Sequence, residues 1–187
     1  PLTLEDRDGL ALVNGTSAMT GIALIGAAEA RRACGWAVAL TAALGETLLA
    51  RTEAWHPAFA RIRPHPGQRM VAADLMRSVA DGQRCRTQPI AERRLEAGDS
   101  GRQEAEAGQD PYTLRCAPQV IGAVLDTLDW HDQVVCRELN AGTDNPVFPP
   151  EDVSLTPALH GGNFMGQHVA LASDALANAL VVLAGLA

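Results

Sequence analysis

The sequence predicts an all-α fold, and three observations lead there. Hydrophobic residues make up 47% of the 187 and aromatics only 4%, so the core must be built from Ala, Leu and Val. With β-branched and aromatic residues scarce, that composition favours close-packed helices over a sheet. Apolar residues then recur at helical spacing: Val71, Leu75 and Val79, and later Val120, Ile121, Val124, Leu125, Leu128, Val135 and Leu139. Clusters of Asn, Gly and Pro separate these runs as breaks between helices. The length suits one domain, or one slab of a larger one.

The elements follow in order. Thr3, with Glu5 and Asp6 behind it, predicts an N-cap and acidic first turn for a helix running to about Val13. Asn14-Gly15-Thr16 breaks it, because Asn and Gly tolerate turn backbone. From Ser17 to about Arg51 the chain is nearly all Ala, Leu, Gly and Val, with Gly21, Gly26, Gly35 and Gly45 along it. Glu29, Arg31, Arg32 and Glu46 interrupt the run, which argues against a membrane span and for a core helix apolar nearly all round. A short amphipathic piece begins at Trp55-His56-Pro57 and ends at Pro64-His65-Pro66-Gly67, with both histidines read as loop or helix-end residues. The next helix ends near Gly82. Residues 81–110 are polar and charged and read as a surface loop that leads straight into a chemically dense stretch. The helix after Pro118 places His131 beside Asp132, but adjacent helical side chains point apart, so no acid–base pair is expected. Asn140 to Pro146 breaks that helix, the prolines up to Pro157 keep the next stretch irregular, and Gly161-Gly162-Asn163-Phe164 leads into a last helix carrying Val169, Leu176, Leu180 and Leu183.

A net charge of −7 and a pI near 5.1 argue against nucleic acid as a partner. All the fixed positive charge is arginine; there is no lysine. Cys34, Cys85, Cys116 and Cys136 show no paired spacing and are expected to be reduced thiols, as in the cytoplasm. The five histidines have no zinc-ligand spacing, so no metal site is expected. The chain starts at Pro1 without a signal peptide and ends in the apolar run Ala179 to Ala187, which reads as a piece of a longer protein.

The chemistry concentrates in Gly108-Gln109-Asp110-Pro111-Tyr112-Thr113-Leu114-Arg115-Cys116-Ala117-Pro118-Gln119. An amide, a phenol and a guanidinium fall within seven residues, and the two prolines are expected to hold the backbone out of regular helix. A phenol titrates near 10 and must be lowered to act as a base near neutrality. The arginine offers a planar fork for a carboxylate. A Tyr and an Arg at a helix start also serve as a packing ring and a surface charge, and spacing alone leaves both readings open.

The Gln109–Gln119 stretch closely resembles a signature of the aromatic amino acid ammonia-lyases, the histidine, phenylalanine and tyrosine enzymes. Ala11-Leu12-Val13-Asn14-Gly15-Thr16 and Gly161-Gly162-Asn163-Phe164-Met165-Gly166 resemble the same family in the same order, across nearly the whole chain. The resemblance implies that residues 1–187 are the central helical part of a larger subunit, a long-helix bundle, with active-site and interface loops at 81–117 and 140–163. It implies a homotetramer whose active sites are each assembled from three subunits, a small aromatic amino acid as the partner molecule, and a cytoplasmic enzyme. It also implies a methylidene-imidazolone electrophile (MIO) formed from an internal Ala-Ser-Gly; this chain has none, Asp99-Ser100-Gly101 being the nearest. Carried over by motif, Arg115 would clamp the substrate carboxylate. Tyr112 would assist proton transfer or orient the substrate, although a family tyrosine outside this stretch of sequence is the stronger base. Gln109 and Asn14 would hydrogen-bond the electrophile or the amino acid, and Phe164 would wall the pocket. Asn163 to Leu171 looks most like bacterial tyrosine ammonia-lyase. Lyase and aminomutase are not separated by these residues. A fumarase-type lyase would leave the motifs unexplained, and a non-catalytic helical scaffold would tolerate loss of Arg115. The fragment alone is expected to be inactive.

Overall fold

A computed structural model describes residues 3–5, 8–82, 85, 109–148 and 158–186 of the chain. Among them the fold is all-α, with helices α1 (Asp8–Asn14), α2 (Ser17–Leu48), α3 (Pro57–Ile62), α4 (Pro66–Ser78), α5 (Tyr112–Arg115, a single turn), α6 (Ala117–Leu139) and α7 (Gln167–Ala184), plus a 3-10 turn at Thr52–Trp55. The only extended pairing among the described residues is one antiparallel bridge, Val147 with Leu159. The chain divides into two compact units, Pro1–Arg31 with Thr127–Asn178, and Arg32–Asp126 with Ala179–Ala187.

Several expected boundaries shift. Thr3–Glu5, expected as the cap and first turn of the first helix, are not helical; α1 is described from Asp8, whose carboxylate accepts the Glu5 N–H at 3.0 Å. Gly15 closes the last turn of α1, its N–H bonding to Ala11 O at 3.0 Å, and the site admits no side chain, since a Cβ there would sit 2.6 Å from that same carbonyl. The long helix stops at Leu48, short of Arg51. Leu49 takes the left-handed conformation at φ 55° and Ala50 N–H reaches back to Gly45 O at 2.9 Å, a helix end that usually employs glycine. Tyr112–Arg115 is helical, so the expectation of non-helical backbone across the Gln109–Gln119 stretch fails. Pro111 sits at the N-cap and Pro118 in the first turn of α6, the two helix positions where a missing N–H costs little. Of the loop expected at 81–117, residues 83–84 and 86–108 lie outside the described residues, as do 149–157 of the one expected at 140–163.

The unit Arg32–Asp126 with Ala179–Ala187 holds the larger core. Trp55, Val71, Leu75, Leu114, Ala117, Ile121 and Val124 are buried there with Cys34 and Cys85. Glycine permits its closest approach. A Cβ on Gly67 would strike the Gly122 carbonyl, and one on Gly122 would strike the Gln68 backbone, so α4 starts directly against α6. At that crossing Asp126 of α6 accepts the Gly67 N–H at 2.7 Å. A carboxylate from another helix thus supplies the capping bond that the N-cap His65 side chain does not make.

In the other unit, Val134 of α6 packs with Val169 and Ala172 of α7 and with Met19 and Ala23 of α2. Arg31 on α2 reaches Asp132 at 2.6 Å and Asp129 at 3.3 Å, two acids one helical turn apart on α6. Its hydrogen bond to Asp132 is the main cause that holds the guanidinium pKa above its ordinary value. His131 is buried, and its Nδ1 lies 3.5 Å from the Asp132 carboxylate, so these adjacent side chains do not point apart as the sequence suggests, although no hydrogen bond forms between them. α7 is long and apolar enough for a membrane span, but it carries Asp174 and buries Val169, Ala172 and Leu176 against protein. α2, expected to be buried on nearly every side, leaves Ile22, Ile25, Trp36 and Leu40 exposed in the single chain.

Replacing Gly122 with Ala is expected to destabilise the protein by about 1–3 kcal/mol, because two backbones must part to admit one methyl group. Thermal unfolding of the variant checks this, and an unchanged Tm would show that the helices can separate freely. A second expectation concerns Cys85, whose thiol is pushed up to about 11, first by burial and then by the Glu46 carboxylate. The folded protein holds this proton more tightly than the unfolded chain does, so the resulting stability is present below the ordinary thiol range and is lost as pH rises towards about 11. Between pH 9 and 11 the protein should therefore lose stability faster than its Cys85→Ala variant, as read by denaturant midpoints.

Candidate active site

Two cavities, one in each unit, hold four of the five residues singled out by sequence; Tyr112 lines neither. The first, of about 400 Å3, is lined by Arg51, Glu53, Ala54, Phe59, Gln109, Asp110, Arg115 and Gln119. Its geometry follows from how α5 is tied down. Pro118 has no N–H to give to the Leu114 carbonyl four residues earlier. That carbonyl instead accepts the indole N–H of buried Trp55 at 2.9 Å. On the other side of the turn, the Asp110 carboxylate accepts the Arg51 N–H at 2.7 Å. Two bonds from the 51–55 segment therefore fix the start and the end of the stretch that carries Gln109, Tyr112 and Arg115.

Within this frame Arg115 donates from its terminal Nη1 to the side-chain carbonyl of Gln109. Its guanidinium lies over the Tyr112 ring, 4.9 Å from the centroid, a cation–π contact that fixes the plane of the fork. Tyr112 itself is 74% exposed, with its phenol on the outside of the turn. The structure thus brings Gln109, Tyr112 and Arg115 together as expected. Arg51 and Arg115 balance Glu53 and Asp110 around the cavity, a wall with both signs of charge that suits a zwitterion.

The second cavity, of about 470 Å3, is lined by Leu10, Ala11, Asn14, Gly15, Ser17, Thr143, Asp144, Asn145 and Phe164. Asn14 and Phe164 line this one cavity, at the α1–α2 break and in the turn before α7. The loop 140–148 is held to the segment before α7 by three contacts. Gly161 N–H donates to Asn145 Oδ1 at 2.6 Å, Asn163 Nδ2 to Gly142 O at 3.3 Å, and Val147 and Leu159 exchange both backbone bonds at 2.9 Å. Asn145 follows the hydrogen-bonded Asp144 and precedes a cis peptide bond to Pro146.

Sequence reasoning named neither Asn145 nor Thr143 as a site residue, and it gave Gln119 no role although it closes the motif. The signal for Asn145 was present in the helix-breaking Asp144-Asn145-Pro146, where an amide is held out of secondary structure. Nothing in the local sequence marks Glu53 or Phe59, which reach the first cavity through the fold alone.

The profile of the family described as aromatic amino acid lyase matches residues 1–187. The chain is 65% identical over 187 residues to a tyrosine ammonia-lyase from Cereibacter sphaeroides, covering all of this chain and 35% of that protein. It is 41% identical over 187 residues to a histidine ammonia-lyase from Symbiobacterium thermophilum, covering all of this chain and 33% of that protein. The crystal structure of a tyrosine aminomutase from Streptomyces globisporus superposes with a TM-score of 0.83 at 34% identity, over all of this chain and 36% of that one. The chain spans about a third of the length of the curated relatives it matches. Motifs, helical architecture and comparisons agree that this chain belongs to the aromatic amino acid lyase family.

Proposed function

We propose that this chain is the central helical part of an ammonia-lyase subunit whose whole enzyme eliminates ammonia from L-tyrosine to give trans-p-coumarate. Conversion of L-phenylalanine to cinnamate is a lesser reaction of the same site. The observation that carries the choice of substrate is the 65% identity to a tyrosine ammonia-lyase along all 187 residues. A second reading, a tyrosine 2,3-aminomutase, is equally compatible with the fold, since a tyrosine aminomutase and a phenylalanine ammonia-lyase match it with the same TM-score of 0.83. Product analysis separates the two, since the mutase returns the amine to the neighbouring carbon.

In this reading Arg115 binds the substrate carboxylate through its fork, held in plane by Tyr112. Tyr112 Oη orients the substrate or carries a proton at its exposed edge. Gln109 and Asn14 offer neutral amide hydrogen bonds, and Phe164 forms an apolar wall. The proton to be lost is benzylic and weakly acidic and the leaving group is an amine, so the residues of this chain alone do not suffice. Neutral amide and hydroxyl groups from Asn14, Thr143 and Asn145 fit the carbonyl oxygens of the methylidene-imidazolone. When in place, that group supplies the electrophilic carbon the reaction needs. The Ala-Ser-Gly that forms it is proposed to lie elsewhere in the full-length protein, and the fragment alone to be inactive. A homotetramer in the cytoplasm, without metal, nucleic acid or membrane, completes the proposal.

The full-length enzyme incubated separately with L-tyrosine, L-phenylalanine and L-histidine is expected to give the strongest ultraviolet rise with tyrosine. A strongest rise of urocanate from histidine would move the assignment to the histidine enzymes. Arg115→Ala should raise KM for tyrosine about a hundredfold, since charge-assisted hydrogen bonds contribute about 1.5–3 kcal/mol each. Arg115→Lys should recover only part of this, because an ammonium cannot form the paired fork. Steady-state kinetics measure both, and an unchanged KM would remove Arg115 from substrate binding.

A further inference from the structure

The wall of the first cavity holds one buried donor and one buried acceptor, both without a hydrogen-bond partner among the described residues. The donor is Arg115 Nε and the acceptor is the side-chain carbonyl of Gln119. Unpaired buried polar groups are costly, and a complementary pair on one cavity wall is an arrangement with a use. The two residues are one helical turn apart. Arg115 N bonds to Pro111 O at 3.0 Å and Val120 N to Cys116 O at 2.9 Å, so the backbone passes from α5 into α6 in helical register. Residues four apart on such a backbone are side-chain neighbours. Among the other acceptors around the cavity, the Gln109 carbonyl accepts from Arg115 Nη1, Asp110 Oδ2 accepts the Arg51 N–H, and Glu53 is already engaged.

We propose that Gln119 is the positioning residue for Arg115, its carbonyl accepting the Arg115 Nε–H when the guanidinium turns its terminal edge to a carboxylate. Gln109 then gives up Nη1 to the ligand. The two glutamines act in turn, Gln109 holding the fork while it is empty and Gln119 holding its stem while it is filled. With Nε buried, only the Nη1–Nη2 edge can take the acid, and a stem bond at Nε sets the direction of that edge. This inference rests on the assignment of Arg115 as the carboxylate clamp under the proposed function.

The test is calorimetric titration of the full-length enzyme with p-coumarate, which carries the carboxylate and needs no turnover. Gln119→Leu is expected to weaken binding about tenfold, the scale of one lost hydrogen bond to a charged group. In an Arg115→Lys background, which has no Nε–H fork, the same substitution is expected to change binding by less than about twofold. Should the leucine variant not fold, as judged by its thermal midpoint, Gln119→Met makes the same removal with a flexible side chain. Equal losses in both backgrounds would make Gln119 a general packing residue and overturn the proposal, as would no loss in either. A protein that binds p-coumarate with this pattern but turns over no aromatic amino acid overturns the proposed function and leaves Gln119 in its role. Absent p-coumarate binding, or binding that Arg115→Ala leaves unweakened, overturns the clamp and this inference together.

Discussion

The hydrogen bond from the Trp55 indole to the Leu114 carbonyl is the interaction on which the candidate site depends. It exists because Pro118 cannot donate back along the helix, which leaves one buried carbonyl in need of a partner. Trp55 is 1% exposed and packs against Gly45, so the indole is fixed by the core before it reaches the turn. One side chain therefore couples the packing of α2 to the placement of Arg115. The Asp110 bond to Arg51 N performs the same service at the other end of the stretch. Arg115 sits on a rigid turn though its sequence surroundings suggest a loop.

A second constraint is the scarcity of large side chains. With aromatics at 4%, a core cannot be filled by bulk and must be closed by proximity. The Gly67–Gly122 crossing is the extreme case, with backbone against backbone and the Asp126 carboxylate completing the helix start that the crossing buries. Small residues thus seat α4 directly against α6, the helix that carries Gln119 of the first cavity.

Much of this was legible in the residues themselves. The four-residue repeat of Val71, Leu75 and Val79 and the seven apolar positions after Pro118 marked α4 and α6, and Asn14-Gly15 marked the α1–α2 break. The grouping of Gln109, Tyr112 and Arg115 was legible because they are close in sequence. What could not be read was anything set by tertiary contact. Residues 3–5 are not helical, and the Glu5 N–H goes to the Asp8 carboxylate, a choice that capping preference at Thr3 does not decide. The helical turn at Tyr112 was missed because prolines break helix interiors yet suit helix starts, and only the three-dimensional register distinguishes the two. Glu53 and Phe59 reach the first cavity through contacts far apart along the chain, which no local pattern encodes.

The apolar side chains that α2 and α7 leave uncovered, among them Ile22, Ile25, Trp36, Leu40 and Val181, have a calorimetric consequence. Heat capacity rises on unfolding in proportion to the apolar surface newly wetted. Surface already in contact with water in the folded chain adds nothing to that change. The chain taken singly should therefore show a smaller heat-capacity increment than the usual value of about 12–15 cal/mol/K per residue. Its stability curve would be correspondingly shallow, and the missing curvature would return only when those helical faces are covered.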